Sequence, residues 1–478
     1  MKFRILFFFL TSVSFISLKA EVKLARIFSD NMVLQQGKEV KIWGSASKNE
    51  QVLVTFGKQT IQTTADKTGQ WSITLAPMKA SSTPNQLIVE GKNTVTLKNI
   101  LVGEVWICCG QSNMDYPLDT RLSRYYVTDE DYAVAQKELS SERNPLIRVM
   151  YVERKLQPEL PTKGWAESND TILKYVSAIG YFFAKELTEK LKIPVGIISN
   201  GWGGTQIENW TPVWAYQQSP VYKQKASVPG FKIDTEAPGA MFESLMKPLI
   251  PFSVRGLLWY QGESNCMVHD SLRYTYKFQM LVESYRQLWN DAKMPFYFVQ
   301  LAPFYYSKLR NNPYNQDEYL LPYTWEAQLK CLKLPATGMV VTTDLVKDMN
   351  NIHPGYKWEV GKRLSKLALA KSYGKKIAYS GPIYKSMKVK SSCIELSFYH
   401  TGKKLISNND QALTWFEIAG DDKKFYPATV MIKGKKLIVS AVEVSNPVAV
   451  RFAWKESAQP NFYNSDLLPA SPFRTDNW

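Results

Sequence analysis

The stretch whose reading decides the fold is Leu101-Val-Gly-Glu-Val-Trp-Ile-Cys-Cys109, which runs straight into Gly110-Gln111-Ser112-Asn113-Met114. A near-continuous apolar run, bounded by a glycine turn, predicts a strand buried on both faces of a sheet. It stops abruptly and presents a serine flanked by two amides. In parallel sheets ligands bind beyond the carboxyl ends of the strands, which is where this reading puts Ser112.

The flanking sequence supplies the rest of that sheet. The strand Ile193–Ile198 ends in Asn200-Gly-Trp-Gly-Gly-Thr205, and the strand Val254–Tyr260 ends in Gln261-Gly-Glu-Ser-Asn265. Pro295–Leu301 and Gly338–Thr343 read as two more strands. Between them, Val176–Leu191 places Val176, Ile179, Phe182, Phe183 and Leu187 on one helical face. Tyr274–Trp289 and Gly355–Tyr373 are likewise amphipathic, with Gly374 placed to end the second. Apolar strands alternating with helices predict a three-layer α/β/α parallel sheet over residues 101–375.

The ends of the chain differ from this middle. Residues 1–20 start Met1-Lys-Phe-Arg4, continue through a short apolar run and end at Ala20, the pattern of a secretory signal peptide. The mature protein is therefore expected outside the cytoplasm, periplasmic or extracellular, with no membrane span. Residues 21–100 carry short β-rich runs such as Glu39–Trp43, Gln51–Phe56 and Gln70–Leu75 at close turn spacing, predicting an antiparallel β-sandwich. Residues 376–478 return to a β pattern, with a hairpin over Val430–Val439 and a strand over Val448–Trp454.

Charge and cysteines exclude several classes. The formal net charge is +16, but the lysines are scattered and form no long basic run, so nucleic acid is not an expected partner. Five cysteines in a chain of 478 residues make no disulfide framework. Cys108, Cys109 and Cys266 read as buried thiols, and the absence of C-x-x-C and the scattered histidines argue against a metal site.

A serine hydroxyl needs a base to become a nucleophile, and histidine is the residue that titrates near neutral pH. The chain has three histidines, and His353, in Asn350-Asn351-Ile352-His353-Pro354, lies at the edge of the last strand, ahead of a helical pattern. His269 and His400 read as bystanders, and Ser264 is a rival nucleophile in a similar turn. An oxyanion needs preorganised donors. Ser112 offers its own amide, Gly203 and Gly204 allow close backbone approach, and Asn265 carries a side-chain amide. Trp202, Trp210, Trp259 and Tyr260 suit either a sugar platform or the core, and Arg474 reads as surface decoration.

The blocks G-Q-S-N, W-G-G-T, G-E-S-N and I-H-P, in that order, resemble the SGNH hydrolase superfamily, and within it the sialate O-acetylesterase-like carbohydrate esterases. Asp30-Asn-Met-Val-Leu-Gln35, Gly204-Thr-Gln-Ile-Glu-Asn-Trp210 and the Leu-Pro-Ala-Ser-Pro-Phe-Arg-Thr ending extend the resemblance over nearly the whole chain. It implies a serine esterase that needs neither metal nor cofactor and removes O-acetyl groups from sugars. Ser112 is then the nucleophile and His353 the base. A block-two glycine, Gly203 or Gly204, with Asn265 and Ser112, forms the oxyanion hole. Gln111, Trp202 and Glu263 are candidate sugar contacts, Glu263 reading more readily as part of a structural network. One departure stands out: Asn350 occupies the position, three before the histidine, where the superfamily usually has aspartate. A Ser–His dyad is the favoured reading, with Asp348, then Asp344 or the asparagines Asn350 and Asn351, as alternative orienting groups. The substrate is read as an acetylated sialic acid or a plant polysaccharide such as xylan. The rivals are an inactive glycan-binding protein and a lipase or thioesterase on the same fold.

Overall fold

The computed structural model describes residues 21–122, 128–141, 144–168, 171–228, 230–233, 236–309 and 317–478. The leader read from residues 1–20 lies outside them. No helix among the described residues is long and apolar enough to cross a membrane.

At the centre is a sheet whose main path runs Thr162–Glu167, Ile147–Val152, Val195–Gly201, Thr94–Gly110, Gly256–Tyr260, Phe296–Val299 and Thr337–Val340. All neighbours on this path pair in parallel except the first two, so the edge strand Thr162–Glu167 is antiparallel. The expected parallel sheet is present, extended by this unforeseen edge. Alternate side chains of the central strand feed opposite faces: Trp106 and Cys108 join one apolar cluster, Val105, Ile107 and Cys109 the other. Helices Ala178–Leu191 and Lys357–Lys371 cover the first face, and Arg273–Leu288 packs Phe278, Leu281 and Tyr285 on the second. A strand buried this way has no polar face, which is why its sequence reads as a run instead of an alternation.

The central strand is longer than its apolar run. Thr94–Gly110 is one strand of 17 residues. Its first six residues alternate in exposure and pair with Ser81–Glu90 in the N-terminal β-region; its last eleven are buried, most of them in the central sheet. The two regions thus share a strand across the 100/101 division. In the N-terminal region Val40, Ile42, Trp71 and Ile73 face Val52, Val54, Leu87 and Val89 in one apolar cluster. Glu104, fully buried, receives Gln36 at 2.7 Å and Arg255 Nε at 2.6 Å, which ties both regions together.

Small antiparallel sheets form the C-terminal region, including the hairpin Thr429–Lys433/Lys436–Ser440. This region is docked on the central domain. Gln300 Nε2 donates to Ser471 Oγ at 3.0 Å, and Gln459 Nε2 reaches the Val346 carbonyl at 2.6 Å. Arg474 is not surface decoration: its side chain is 8% exposed and binds Glu326 and Asp476. All five cysteines are free thiols and four are buried, burial pushing Cys108 and Cys109 far above the usual thiol range.

Candidate active site

Three strand ends meet at Gly110. It pairs with Gly201 on one side and Tyr260 on the other. Its carbonyl accepts the Trp202 N–H at 3.0 Å, and Gln111 N–H donates to the Tyr260 carbonyl at 3.0 Å. Gly110 has φ +133°, and a Cβ there would lie 2.2 Å from the Tyr260 oxygen. Only glycine lets the chain leave the sheet here. The backbone then folds back at once, Met114 and Asp115 N–H both donating to the Gln111 carbonyl, and Ser112 sits on that turn.

His353 comes to this serine from 241 residues away, its Nε2 lying 2.8 Å from Ser112 Oγ. Both residues are nearly enclosed, Ser112 at 7% and His353 at 9% exposure. With the proton on Nδ1, Nε2 accepts from the hydroxyl, the arrangement a general base requires. Burial, aided by the nearby Lys357 ammonium, pulls the imidazole down from 6.5 to about 3. Ser264 takes no part in this pair; its backbone N–H donates to Gln111 Oε1 at 3.3 Å. His269 lies 3.7 Å from Asp317, and His400 packs on the Tyr379 ring.

The groups considered as orienters of the imidazole have other engagements. Asp348 is exposed, and its Oδ1 accepts from Asn350 N and Nδ2 at 2.9 and 3.1 Å. Asp344 is held by the two terminal guanidinium nitrogens of Arg363 at 2.8 and 2.6 Å. Asn350 is exposed, and Asn351 Oδ1 accepts the His353 backbone N–H at 3.0 Å.

Around Ser112 several donors are uncommitted. Among the described residues, the N–H groups of Ser112, Gly203 and Gly204 and the Nε2 of Gln111 donate to no protein acceptor. Gln111 Oε1, by contrast, is fixed by Gln261 Nε2 at 3.1 Å and by the Gly262 and Ser264 N–H groups. Gly204 has φ +76°, is exposed, and would meet nothing with a Cβ, so it serves the turn and not a close approach. Asn265 faces the other way from the expectation. It is fully buried, with Nδ2 donating to Glu208 at 2.9 Å and Asp270 at 3.1 Å. Those carboxylates flank the buried Lys277, so Asn265 belongs to a charged knot beneath the turn. Trp202 is partly exposed at the strand end, whereas Trp210, Trp259 and Tyr260 are core residues at 1% exposure or less.

Two residues that sequence reasoning missed lie against this pair. Asn113 Nδ2 donates to Glu263 Oε1 at 2.5 Å and to the Ile352 carbonyl at 3.0 Å, and its Oδ1 accepts from Lys357 Nζ at 2.7 Å. The signals were present: Asn113 belongs to the G-Q-S-N block, and Lys357 is the fourth residue after His353. Glu263 is 2% exposed and bonded inward, so it enters this network instead of facing a sugar. Among the described residues, no group of three His, Cys, Asp or Glu side chains is arranged to hold a metal ion.

A family model described as a carbohydrate esterase, sialic acid-specific acetylesterase, matches residues 102–370. The sialate O-acetylesterases of Homo sapiens and Pongo abelii are each 27% identical to the chain, over 94% of it and 92% of their own length. A solved carbohydrate acetylesterase from Xanthomonas citri superposes with a TM-score of 0.85 at 32% identity, covering 96% of this chain and 100% of its own.

Proposed function

From the premise that the chain belongs to the sialic acid-specific acetylesterase family of carbohydrate esterases, we propose that it hydrolyses O-acetyl esters of sugars through Ser112 and His353. The observation that carries this reading is the 2.8 Å contact between Ser112 Oγ and His353 Nε2 at the junction of three strand ends. Ser112 Oγ attacks the acetyl carbonyl carbon while Nε2 takes its proton. The oxyanion is met by the Ser112 N–H, a block-two N–H and Gln111 Nε2, which are the uncommitted donors here. Collapse expels the sugar hydroxyl, which leaves with the proton from His353. Water, deprotonated by the same imidazole, then attacks the acetyl-enzyme, and acetate departs. Neither step calls for a cofactor.

The machinery is read as a Ser–His dyad, because Asp344 and Asp348 are each engaged elsewhere. The sugar is read as an O-acetylated sialoside, in line with the printed names of the relatives. Export rests on the leader pattern of residues 1–20. Acetate release from a panel of O-acetylated sialosides and acetylated xylo-oligosaccharides tests the substrate reading, with turnover expected to be highest on the sialosides. Preference for xylo-oligosaccharides would move the assignment to hemicellulose, and no acetate from any member would leave a glycan-binding protein. An acyl series is expected to peak at acetyl; a peak at long chains would favour a lipase.

The buried imidazole also sets the pH response. A base held near 3 stays neutral, and so competent, as pH falls well past histidine's ordinary 6.5. On a neutral acetyl ester the acid limb of kcat/KM is therefore expected below about pH 5. An inflection at about pH 6 or above would show that His353 keeps an ordinary affinity for protons in the working enzyme.

A further inference from the structure

Lys357 is in an unfavourable place by every local rule. It is the first residue of helix Lys357–Lys371, where the helix dipole disfavours a cation. It is also 2% exposed, and burying an ammonium costs several kcal/mol unless it is bonded. An apolar residue would pack there without either penalty. Burial pulls this amine down to about 7, and its Nζ is instead aimed at two oxygens, Asn113 Oδ1 at 2.7 Å and the carbonyl of Pro354, over the face of the Tyr116 ring at 4.7 Å.

Those contacts bracket His353. Asn113 Nδ2 holds the carbonyl of Ile352, the residue before the imidazole, and Lys357 holds the carbonyl of Pro354, the residue after it. The bond between Asn113 Oδ1 and Lys357 Nζ closes the bracket, and Glu263 anchors the amide from its far side. Asn113 is also the neighbour of Ser112, so one side chain ties the nucleophile turn to the segment carrying the base. We propose that Asn113 and Lys357 are positioning residues that clamp the backbone on both sides of His353 and so hold Nε2 at hydrogen-bond distance from Ser112 Oγ. The proposal rests on the reading of His353 as the base. It gives the buried lysine a task that packing does not explain.

A positioning role acts only through the group positioned, and a double-mutant cycle exposes that. Lys357→Met and Asn113→Leu keep side-chain size and remove the polar contacts, one from each side of the bracket. Each is expected to lower kcat on an activated aryl acetate by about a hundredfold, with KM within about twofold, since a shift of about 1 Å suffices for such a loss. In a His353→Ala background each is expected to cost less than about twofold more. Should one variant fail to fold by thermal melting, the other side of the bracket decides. A folded variant with kcat within about threefold of the parent overturns the proposal, as does a loss that multiplies fully onto that of His353→Ala. If His353→Ala itself keeps full activity, both the base reading and the clamp fall. If His353→Ala is inactive and the clamp variants are not impaired, the clamp alone falls.

Discussion

Ser112→Ala and His353→Ala are each expected to lose at least about a thousandfold in kcat for acetate release, while Asp348→Ala loses less than about tenfold. The asymmetry follows from the contacts. Ser112 Oγ and His353 Nε2 bond each other at 2.8 Å in a nearly enclosed site, so removing either leaves no activated nucleophile. Asp348 is exposed and spends its Oδ1 on Asn350, so its removal disturbs the loop more than the imidazole. Members of one catalytic unit are not additive, and Ser112→Ala/His353→Ala is expected to be about as slow as either single variant. Thermal melting should show all of these proteins folded. Severe and equal losses in Asp348→Ala would establish a triad in place of the dyad. A Ser112→Ala protein that still turns over, with Ser264→Ala inactive, would transfer the nucleophile to the third turn.

The parts of this molecule that were legible from sequence are those fixed by local periodicity. Ala178–Leu191 and Lys357–Lys371 announce themselves by a 3.6-residue apolar face, and the three glycine turns mark where parallel strands end. Ser112 and His353 follow, because so few histidines are available. What was not legible depends on which way a side chain turns and on what meets it from far away. Thr94–Gly110 crosses the 100/101 division drawn from the sequence, yet it is one strand, with Asn99 accommodated inside it at φ +56°. Thr162–Glu167 has one buried side chain, Trp165, and a register shift beside it, so it shows no apolar alternation, and its antiparallel pairing with Ile147–Val152 is a tertiary fact. Asn265 misled because its block places it next to the site, while the Glu208–Lys277–Asp270 knot that captures its amide is assembled from three separate segments. Lys357 went unnoticed for the same reason: a lysine at a helix start looks solvated until its partners, Asn113 and Pro354, are in view.

Gly110→Ala is expected to damage both stability and turnover. The added Cβ would sit 2.2 Å from the Tyr260 carbonyl oxygen and 2.8 Å from its carbon, both backbone atoms of the neighbouring strand. Neither can yield as a flexible side chain would, because Tyr260 is held in register with Gly110 and its carbonyl accepts from Gln111 N–H. Alanine must also adopt φ +133°, a conformation that L side chains rarely take. Overpacking and backbone strain together are expected to cost about 3 kcal/mol or more, read as a lower midpoint in denaturant unfolding. The chain can relieve the clash only by moving the strand end, and the next residues are Gln111 and Ser112. Whatever folds should therefore lose about a hundredfold in kcat as well, since the nucleophile is displaced from His353. Gly204→Ala supplies the contrast: its φ is +76°, but a Cβ there meets nothing within 4 Å. It should cost only the backbone strain of about 1–2 kcal/mol. If the two variants unfold at the same denaturant concentration, steric contact with Tyr260 is not what demands glycine at the end of the central strand.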